Sequence, residues 1–169
     1  WLLQQTWQDQ GIPLGGFGYF WAGLSLGAAL AGRFAHVLEA RLGATALLLA
    51  IGILPAFGYA GLDLLGPLGG VLAGASFFFA RGVGAVLLQD ALNRRIPGQV
   101  RATANSLGSF GFRGAFTLTG PWVGYALDLW GMSTTLWLLA GVTVVIFLAL
   151  IVPLLLAVRA QGPVPIPAG

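Results

Sequence analysis

The chain has 169 residues, of which 57% are hydrophobic and 8% charged, and its mean hydropathy is +0.88. Soluble domains carry roughly 25% charged residues, so this composition excludes an ordinary water-soluble protein and the length counts membrane spans. The eight basic residues are all Arg and are dispersed among apolar runs, so the net charge of +3 does not indicate nucleic-acid binding. No Cys is present, which excludes disulfides and Cys-based metal sites and leaves the compartment open.

The first ten residues form a short stub in which Trp1 and Trp7 surround several polar residues. The chain begins at Trp1 without a cleavable signal pattern, so we expect it to be a fragment. Tryptophan is enriched at membrane interfaces, where its ring is half wet. Residues 1–10 are therefore either the end of a truncated transmembrane helix or an interfacial segment unconnected with any helix, and the residues alone leave both open.

Five long apolar stretches follow the stub, and each is long enough to cross a hydrocarbon layer of about 30 Å at 1.5 Å per residue. They predict transmembrane helices at approximately 14–38, 44–62, 68–88, 102–127 and 134–158. Pro55 in the second is tolerated in a membrane and predicts a kink. We expect residues 11–160 to form one all-α transmembrane helix bundle, and the Pro-rich residues 161–169 to be a disordered cytoplasmic tail.

Arginines flank alternate connections between these spans. Short loops rich in Lys and Arg stay in the cytoplasm. Arg residues lie at the first and third connections and near the C-terminus, whereas the stub and the second and fourth connections carry only Asp9, Asp63 and Asp128. We therefore expect an integral protein of a bacterial inner (plasma) membrane, with the stub outside and the C-terminus in the cytoplasm.

Three of the spans carry two Gly residues four positions apart, a spacing that permits close helix approach. The pairs are Gly23 and Gly27, Gly70 and Gly74, and Gly120 and Gly124. The second and fifth spans consist almost entirely of apolar side chains and can face lipid all round. We expect the first, third and fourth spans to form the packed interior, with chance composition as the alternative for any single pair.

Arg113 lies about a dozen residues into the fourth span, near the bilayer midplane, where an arginine costs at least about 2.5–3.5 kcal/mol. At helical spacing it shares a face with Ser106, Ser109 and Thr117, and such a stripe faces a wet cavity or a partner. We interpret these residues as contacts for a polar or anionic solute; the alternative is a structural arginine bonded to carbonyls of a neighbouring helix. Arg81 is a further cavity candidate, but its position nearer the cytoplasmic face favours a snorkelling side chain.

Catalytic and proton-relay chemistry has no candidate residues in this sequence. All five carboxylates fall at helix ends or in loops, so a proton relay would depend on residues outside the chain. The lone His36 lies at a helix end, where an interfacial cap is the more common role than a metal ligand. We therefore expect no enzyme activity, no metal site and no cofactor.

The connection between the third and fourth spans carries the most specific motif. Residues 93–97 (NRRIP) followed by 101–107 (RATANSL) resemble the cytoplasmic connection between helices ten and eleven of major facilitator superfamily transporters. Residues 121–131, with their Pro, Gly, Asp and Gly, are similar to the outer end of helix eleven in that family, and residues 41–43 resemble its connection between helices eight and nine. The connection residues that this resemblance singles out are Asn93, Arg94, Arg95, Arg101 and Thr103.

The resemblance implies the C-terminal half of a major facilitator superfamily fold, with the stub as the end of helix seven and the spans as helices eight to twelve. It implies secondary transport of a small solute by alternating access, at a site shared with an N-terminal half that is missing from this chain. Helices nine and twelve of that family are peripheral, in agreement with the plain second and fifth spans. The expected partners are the lipid bilayer, the solute and that other half, without nucleic acid.

In this interpretation the polar stripe lines the cavity, and Gly120, Pro121 and Gly124 permit close packing at the outer gate. The arginines of residues 93–101 anchor the cytoplasmic connection through helix C-termini, acidic side chains or lipid headgroups. The alternative from another functional class is a non-transporting membrane scaffold or receptor-like subunit, in which the glycines and Arg113 only hold helices together.

Overall fold

A computed structural model of the chain describes residues 2–161, apart from the side chains of residues 95, 154, 155 and 157–161. The described backbone is helical almost throughout and contains no strand. The first helices are α1 (Leu2–Asp9), α2 (Leu14–Arg33), α3 (Ala35–Leu42), α4 (Ala44–Leu64) and α5 (Gly66–Arg95). A 3-10 turn, Gly98–Val100, precedes the last helical stretch, Arg101–Gln161. Of the tail predicted at 161–169, Gln161 is the last residue of this helical stretch and the remainder lies outside the described residues.

Gly131 divides the last helical stretch into two helices. Its backbone adopts φ 77° and ψ 176°, a conformation that glycine reaches without the steric cost of a side chain. We name the two parts α6 (101–130) and α7 (132–161); each is as long as the 30-residue α5. Gly131 lies between the fourth and fifth predicted spans, and its non-helical backbone is what separates them.

Four helical stretches of the described chain are long and apolar enough to cross a membrane: α2, α4, α5 and the joined α6 and α7. Most of their surface is exposed apolar side chain, with Tyr19 82% exposed and Phe112 77% exposed. Exposing so much apolar surface to water is unfavourable, whereas contact with lipid acyl chains is not. The prediction of an all-α protein with membrane-length helices is therefore confirmed, and it fits an integral membrane location.

The first predicted span, 14–38, is too long at its C-terminal end. Helix α2 stops at Arg33, and the chain turns at Phe34 (φ −94°, ψ 6°) before α3 begins. Helical hydrogen bonds from the Phe34 N–H to the Leu30 carbonyl oxygen and from the Leu38 N–H to the Phe34 carbonyl oxygen continue through this turn. The fully buried Ala35 of α3 joins an apolar cluster with residues of α2, α4 and α5. The other buried members of that cluster are Ala31, Leu47, Val83 and Leu87.

The third predicted span, 68–88, is too short. Helix α5 begins at Gly66 and continues through polar residues that we predicted to be a loop, as far as Arg95. An ion pair one helical turn apart supports this extension, since the Arg94 Nη2 donates to the Asp90 Oδ2 at 2.6 Å. Only residues 96–100 separate α5 from α6.

The stub is a helix in which Thr6 and Trp7 are buried. Trp7 of α1 is 0% exposed and makes edge-to-face ring contacts with Phe17 and Phe20, each at 5.6 Å between centroids, and with Trp21 at 6.3 Å. The half-wet interfacial position expected for tryptophan is therefore wrong for Trp7. The stub is thus a helix packed on the bundle and not a segment unconnected with any helix, and the interpretation that it ends a truncated transmembrane helix stays a prediction.

The packing order differs from the one we predicted. Helix α2 lies against α5, α5 against α4, and α4 against α7. The second span therefore does not face lipid all round: α4 packs on two helices and buries Leu47, Ala56, Gly58, Gly61 and Leu62. Conversely, none of the α6 residues is buried, although we placed the fourth span in the packed interior. Small residues on α4, which let neighbouring helices approach, account for the difference.

The helices alternate between two ends of the bundle. At one end, which we call the α1 end, the Gln10 Nε2 donates to the Leu62 carbonyl oxygen at 2.8 Å, so α1 and the last turns of α4 are joined. At the other, the arginine end, the Asn105 Nδ2 donates to the Asn93 Oδ1 at 3.2 Å between α6 and α5. The arginines of the first and third connections share this second end, as the alternation in the sequence predicts.

Candidate functional site

The polar stripe of α6 lies on the surface of the described chain. Ser106, Ser109, Arg113 and Thr117 are all exposed. The Thr117 hydroxyl donates back to the Arg113 carbonyl oxygen at 3.0 Å, within the helix. The Arg113 guanidinium has no hydrogen-bond or ion-pair partner among the described residues, and both interpretations of it, a solute contact and a structural arginine, stay predictions.

Arg81 lies halfway along α5, about 20 Å from either end at 1.5 Å per residue. The sequence interpretation placed it close to the cytoplasmic face because the apolar run ends at Leu88. The Cα–Cβ bond of a helical residue tilts toward the helix N-terminus, which for Arg81 is the α1 end. Its side chain therefore starts away from the arginine end. The residues after Leu88 are polar, so the apolar run and not the helix end sets the depth of Arg81, and the snorkelling explanation stays a prediction.

A cavity of about 240 Å³ lies beside the exposed Arg81, between α2 and α5. Its walls are Ser25, Ala28 and Ala29 of α2, with Phe78 and Arg81 among those of α5. The small alanines leave this space open, and the hydroxyl and the guanidinium supply its polar character. The cavity can therefore accept a polar or negatively charged group from a ligand.

A second cavity, of about 230 Å³, lies toward the α1 end and is lined mostly by aromatic rings. Its aromatic residues are Trp21, Tyr59, Phe77, Phe78 and Phe116, from four different helices, with leucines of α1 and α4 completing the wall. Edge-to-face contacts fix two of the walls: Trp21 and Phe78 at 5.3 Å, and Tyr59 and Phe77 at 4.7 Å between centroids. Sequence reasoning missed this cavity, since the rings are far apart in the chain.

The predicted glycine pairs differ in their surroundings. A Cβ on Gly70 would lie 2.8 Å from the Gln10 Oε1, and one on Gly74 would lie 3.2 Å from the Leu3 Cδ1, so this pair packs against the stub. The other two pairs are not in close contact with a described helix. A Cβ added to any of these glycines would meet no described atom within 4 Å: Gly23, Gly27, Gly120 and Gly124. Pro121, between the glycines of the third pair, is exposed as well. The outer gate expected at Gly120, Pro121 and Gly124 stays a prediction.

The closest helix contact occurs at a glycine that we did not single out. A Cβ on Gly82 would overlap the carbonyl oxygen of Ala28, and one on Gly32 would lie 3.0 Å from the Gly82 carbonyl oxygen. Helices α2 and α5 therefore meet backbone to backbone. The signal was present as Ala28 and Gly32, two small residues four positions apart, but we counted only glycine pairs.

The predicted connection residues lie together at the arginine end. Asn93 bonds to α6, and Arg94 pairs with Asp90, whereas the side chain of Arg95 lies outside the described set. Hydrogen bonding from the Arg94 guanidinium lowers the pKa of the Asp90 carboxyl, which lies beyond the apolar run of α5. Of the anchors we considered, the acidic side chain is the one observed for Arg94. Arg101 and Thr103 are exposed at the start of α6.

The α1 end holds one polar cluster that the sequence did not reveal. The Asp63 Oδ2 accepts hydrogen bonds from the Ser133 hydroxyl and from the Trp137 Nε1, both at 2.9 Å. These bonds join the last turn of α4 to the first turns of α7. Asp63 is therefore a structural acceptor between two helices as well as a marker of orientation.

No protein-family model, curated protein or solved structure matches the chain. The resemblance to the major facilitator superfamily consequently depends on the sequence motifs described above. The expectations of no enzyme activity and no cofactor stay predictions.

Proposed function

We propose that the chain is the C-terminal half of a secondary transporter of the major facilitator superfamily type, which moves a small solute by alternating access. The observation that carries this proposal is Arg113, an exposed arginine near the middle of a membrane-length helix, without a partner among the described residues. An arginine at that depth costs at least about 2.5–3.5 kcal/mol in hydrocarbon. Water in a cavity, a solute or a second helical half would remove this cost.

The position of α6 within the bundle supports the same proposal. Helices α2, α4, α5 and α7 pack on one another, whereas α6 buries none of its residues and presents its hydroxyl groups at the surface. A helix of this kind is suited to face a water-filled pathway between two halves, because its polar side chains need water or a partner. Ser109, Arg113 and Thr117 would line the pathway, and the arginine end would hold the cytoplasmic connection.

The absence of Cys from the sequence allows a test that requires no knowledge of the solute. We would introduce Ser109→Cys and Thr117→Cys singly into the membrane-embedded protein and label them with a membrane-impermeant maleimide from either side of sealed vesicles. Ala115→Cys is the matched control, because Ala115 lies between these positions on the opposite face of α6. Alternating access predicts labelling of both test positions from each side and little labelling of the control.

Two results would contradict the proposal. Labelling of the test positions that is no faster than that of Ala115→Cys would place the stripe against lipid or protein, as in a scaffold or receptor-like subunit. Labelling from one side only would show a static, one-sided crevice without alternation.

A further inference from the structure

The two cavities beside α2 and α5 adjoin each other. Phe78 lines both of them. On α2, Trp21 lines the aromatic cavity and Ser25 lines the cavity beside Arg81; the two residues are four positions apart and share a helix face. On α5, Phe77 of the aromatic cavity and Arg81 are also four positions apart and share a face. A single ligand lying along these two faces would contact both compartments.

The two compartments have different chemistry. The one toward the α1 end is apolar, with Trp21, Phe77 and Phe78 among its rings, so it suits an aromatic or alkyl group. The other has the Arg81 guanidinium and the Ser25 hydroxyl, which bind oxyanions through charge-assisted hydrogen bonds. The aromatic cavity has a volume of about 230 Å³ and the cavity beside Arg81 about 240 Å³. Taken together, their volume falls within the range of roughly 300–1,000 Å³ that is typical of small-molecule sites.

No carboxylate of the described chain neutralises this site. The Asp and Glu residues of the part that the structure describes line neither cavity, and Arg81 forms no ion pair there. On α6, Arg113 precedes the cavity residue Phe116 by three positions and so lies on the same side of that helix. The charge of the surroundings is therefore positive, which complements an anion.

We propose that these cavities form one binding site for an amphipathic organic anion. The aromatic or alkyl body of the ligand lies between Trp21 and Phe78, and its carboxylate, sulfonate or phosphate lies at Arg81 beside Ser25. This inference rests on the proposed transport function, for which it names the substrate class. The ligand has two possible sources with the same chemistry: an aromatic carboxylate from the water phase, or a fatty acid from the bilayer.

The test uses protection of Ser25→Cys from the impermeant maleimide in the reconstituted protein. The soluble probe is 1-naphthoate, its neutral counterpart is 1-naphthalenemethanol, and oleate represents the bilayer source. We expect naphthoate or oleate to slow the labelling of Ser25→Cys. The neutral 1-naphthalenemethanol should need a concentration at least about ten-fold higher than naphthoate for the same protection. Protection by naphthoate identifies a water-phase ligand, and protection by oleate alone identifies a membrane ligand; either supports the site.

Arginine variants show whether the charge at position 81 is responsible. In the Ser25→Cys background, Arg81→Gln should raise the half-protecting naphthoate or oleate concentration at least about ten-fold, because a charge-assisted bond is lost. Arg81→Lys keeps the charge and should recover part of that loss, which separates binding from a folding defect. Arg94→Gln is the control at the arginine end and should leave protection unchanged.

Four outcomes would overturn the inference: a Ser25→Cys thiol that is not labelled at all, no protection by any of the three compounds, equal protection by the naphthoate and the alcohol together with no protection by oleate, or protection that Arg81→Gln leaves unchanged. These outcomes are distinct from failure of the transport proposal, which is measured by two-sided labelling at Ser109→Cys. If that position alternates while Ser25→Cys is not protected, only the ligand class is wrong.

Discussion

Gly82 is the position at which a single methyl group should disturb the bundle most clearly. A Cβ there would overlap the Ala28 carbonyl oxygen and lie 2.9 Å from its carbonyl carbon and 3.0 Å from its Cα. All three are backbone atoms, so no side-chain rotation can relieve the contact, and α2 and α5 must move apart. Overpacking of this kind typically costs about 1–3 kcal/mol. For Gly82→Ala we expect a loss of about 2–3 kcal/mol in the free energy of unfolding.

The measurement is equilibrium unfolding of the purified protein in mixed dodecylmaltoside and SDS micelles, followed by tryptophan fluorescence. Gly84→Ala is the matched control on the same helix, because its Cβ would lie at an ordinary 3.5 Å from the Ile51 Cδ1. Alanine is favoured over glycine in a helix by about 0.8–1 kcal/mol, so this control should be neutral or slightly stabilising. Equal effects of the two substitutions, or an unchanged midpoint for Gly82→Ala, would refute the backbone contact between α2 and α5.

Two further predictions use the same unfolding measurement. Trp7→Ala should cost about 3–5 kcal/mol because the ring is fully buried, whereas Trp122→Ala, at a side chain 74% exposed, should change little; similar losses would contradict the burial of α1. Asp63→Asn should cost about 1 kcal/mol by weakening the bonds from Ser133 and Trp137 at a partly exposed site. A double-mutant cycle with Ser133→Ala checks this, and additive effects would show that the bond contributes nothing.

The presence of membrane-length helices and their approximate positions could be predicted because they depend on local composition. An apolar run of about 20 residues is long enough to cross the hydrocarbon, and its limits are visible in the sequence. The second span, predicted at 44–62, is observed at Ala44–Leu64, and the predicted gap between the last two spans contains Gly131. In both cases the signal and the structure lie in the same few residues.

Neighbour relations could not be predicted in the same way, since they depend on how distant faces fit. The second span has no polar stripe to mark its buried side, and its packing follows from Gly58, which faces Ser76 and Phe77, and from Gly61, which faces Ala73. Each of these contacts joins two helices. An inspection of one helix at a time therefore identifies small residues without identifying their partners.

The surroundings of Arg81 add to its functional interpretation. Hydropathy ends the third span at Leu88, and the helix continues to Arg95 because polar residues can extend a helix into water. Arg81 lies seven residues before Leu88, about 10 Å at 1.5 Å per residue, so the sequence alone predicts a snorkelling side chain. The structure adds a cavity beside the guanidinium, with the Ser25 hydroxyl in its wall and an aromatic cavity next to it. Because these walls come partly from α2, hydropathy along α5 cannot reveal them, and together they favour a ligand with a negative charge and an apolar body.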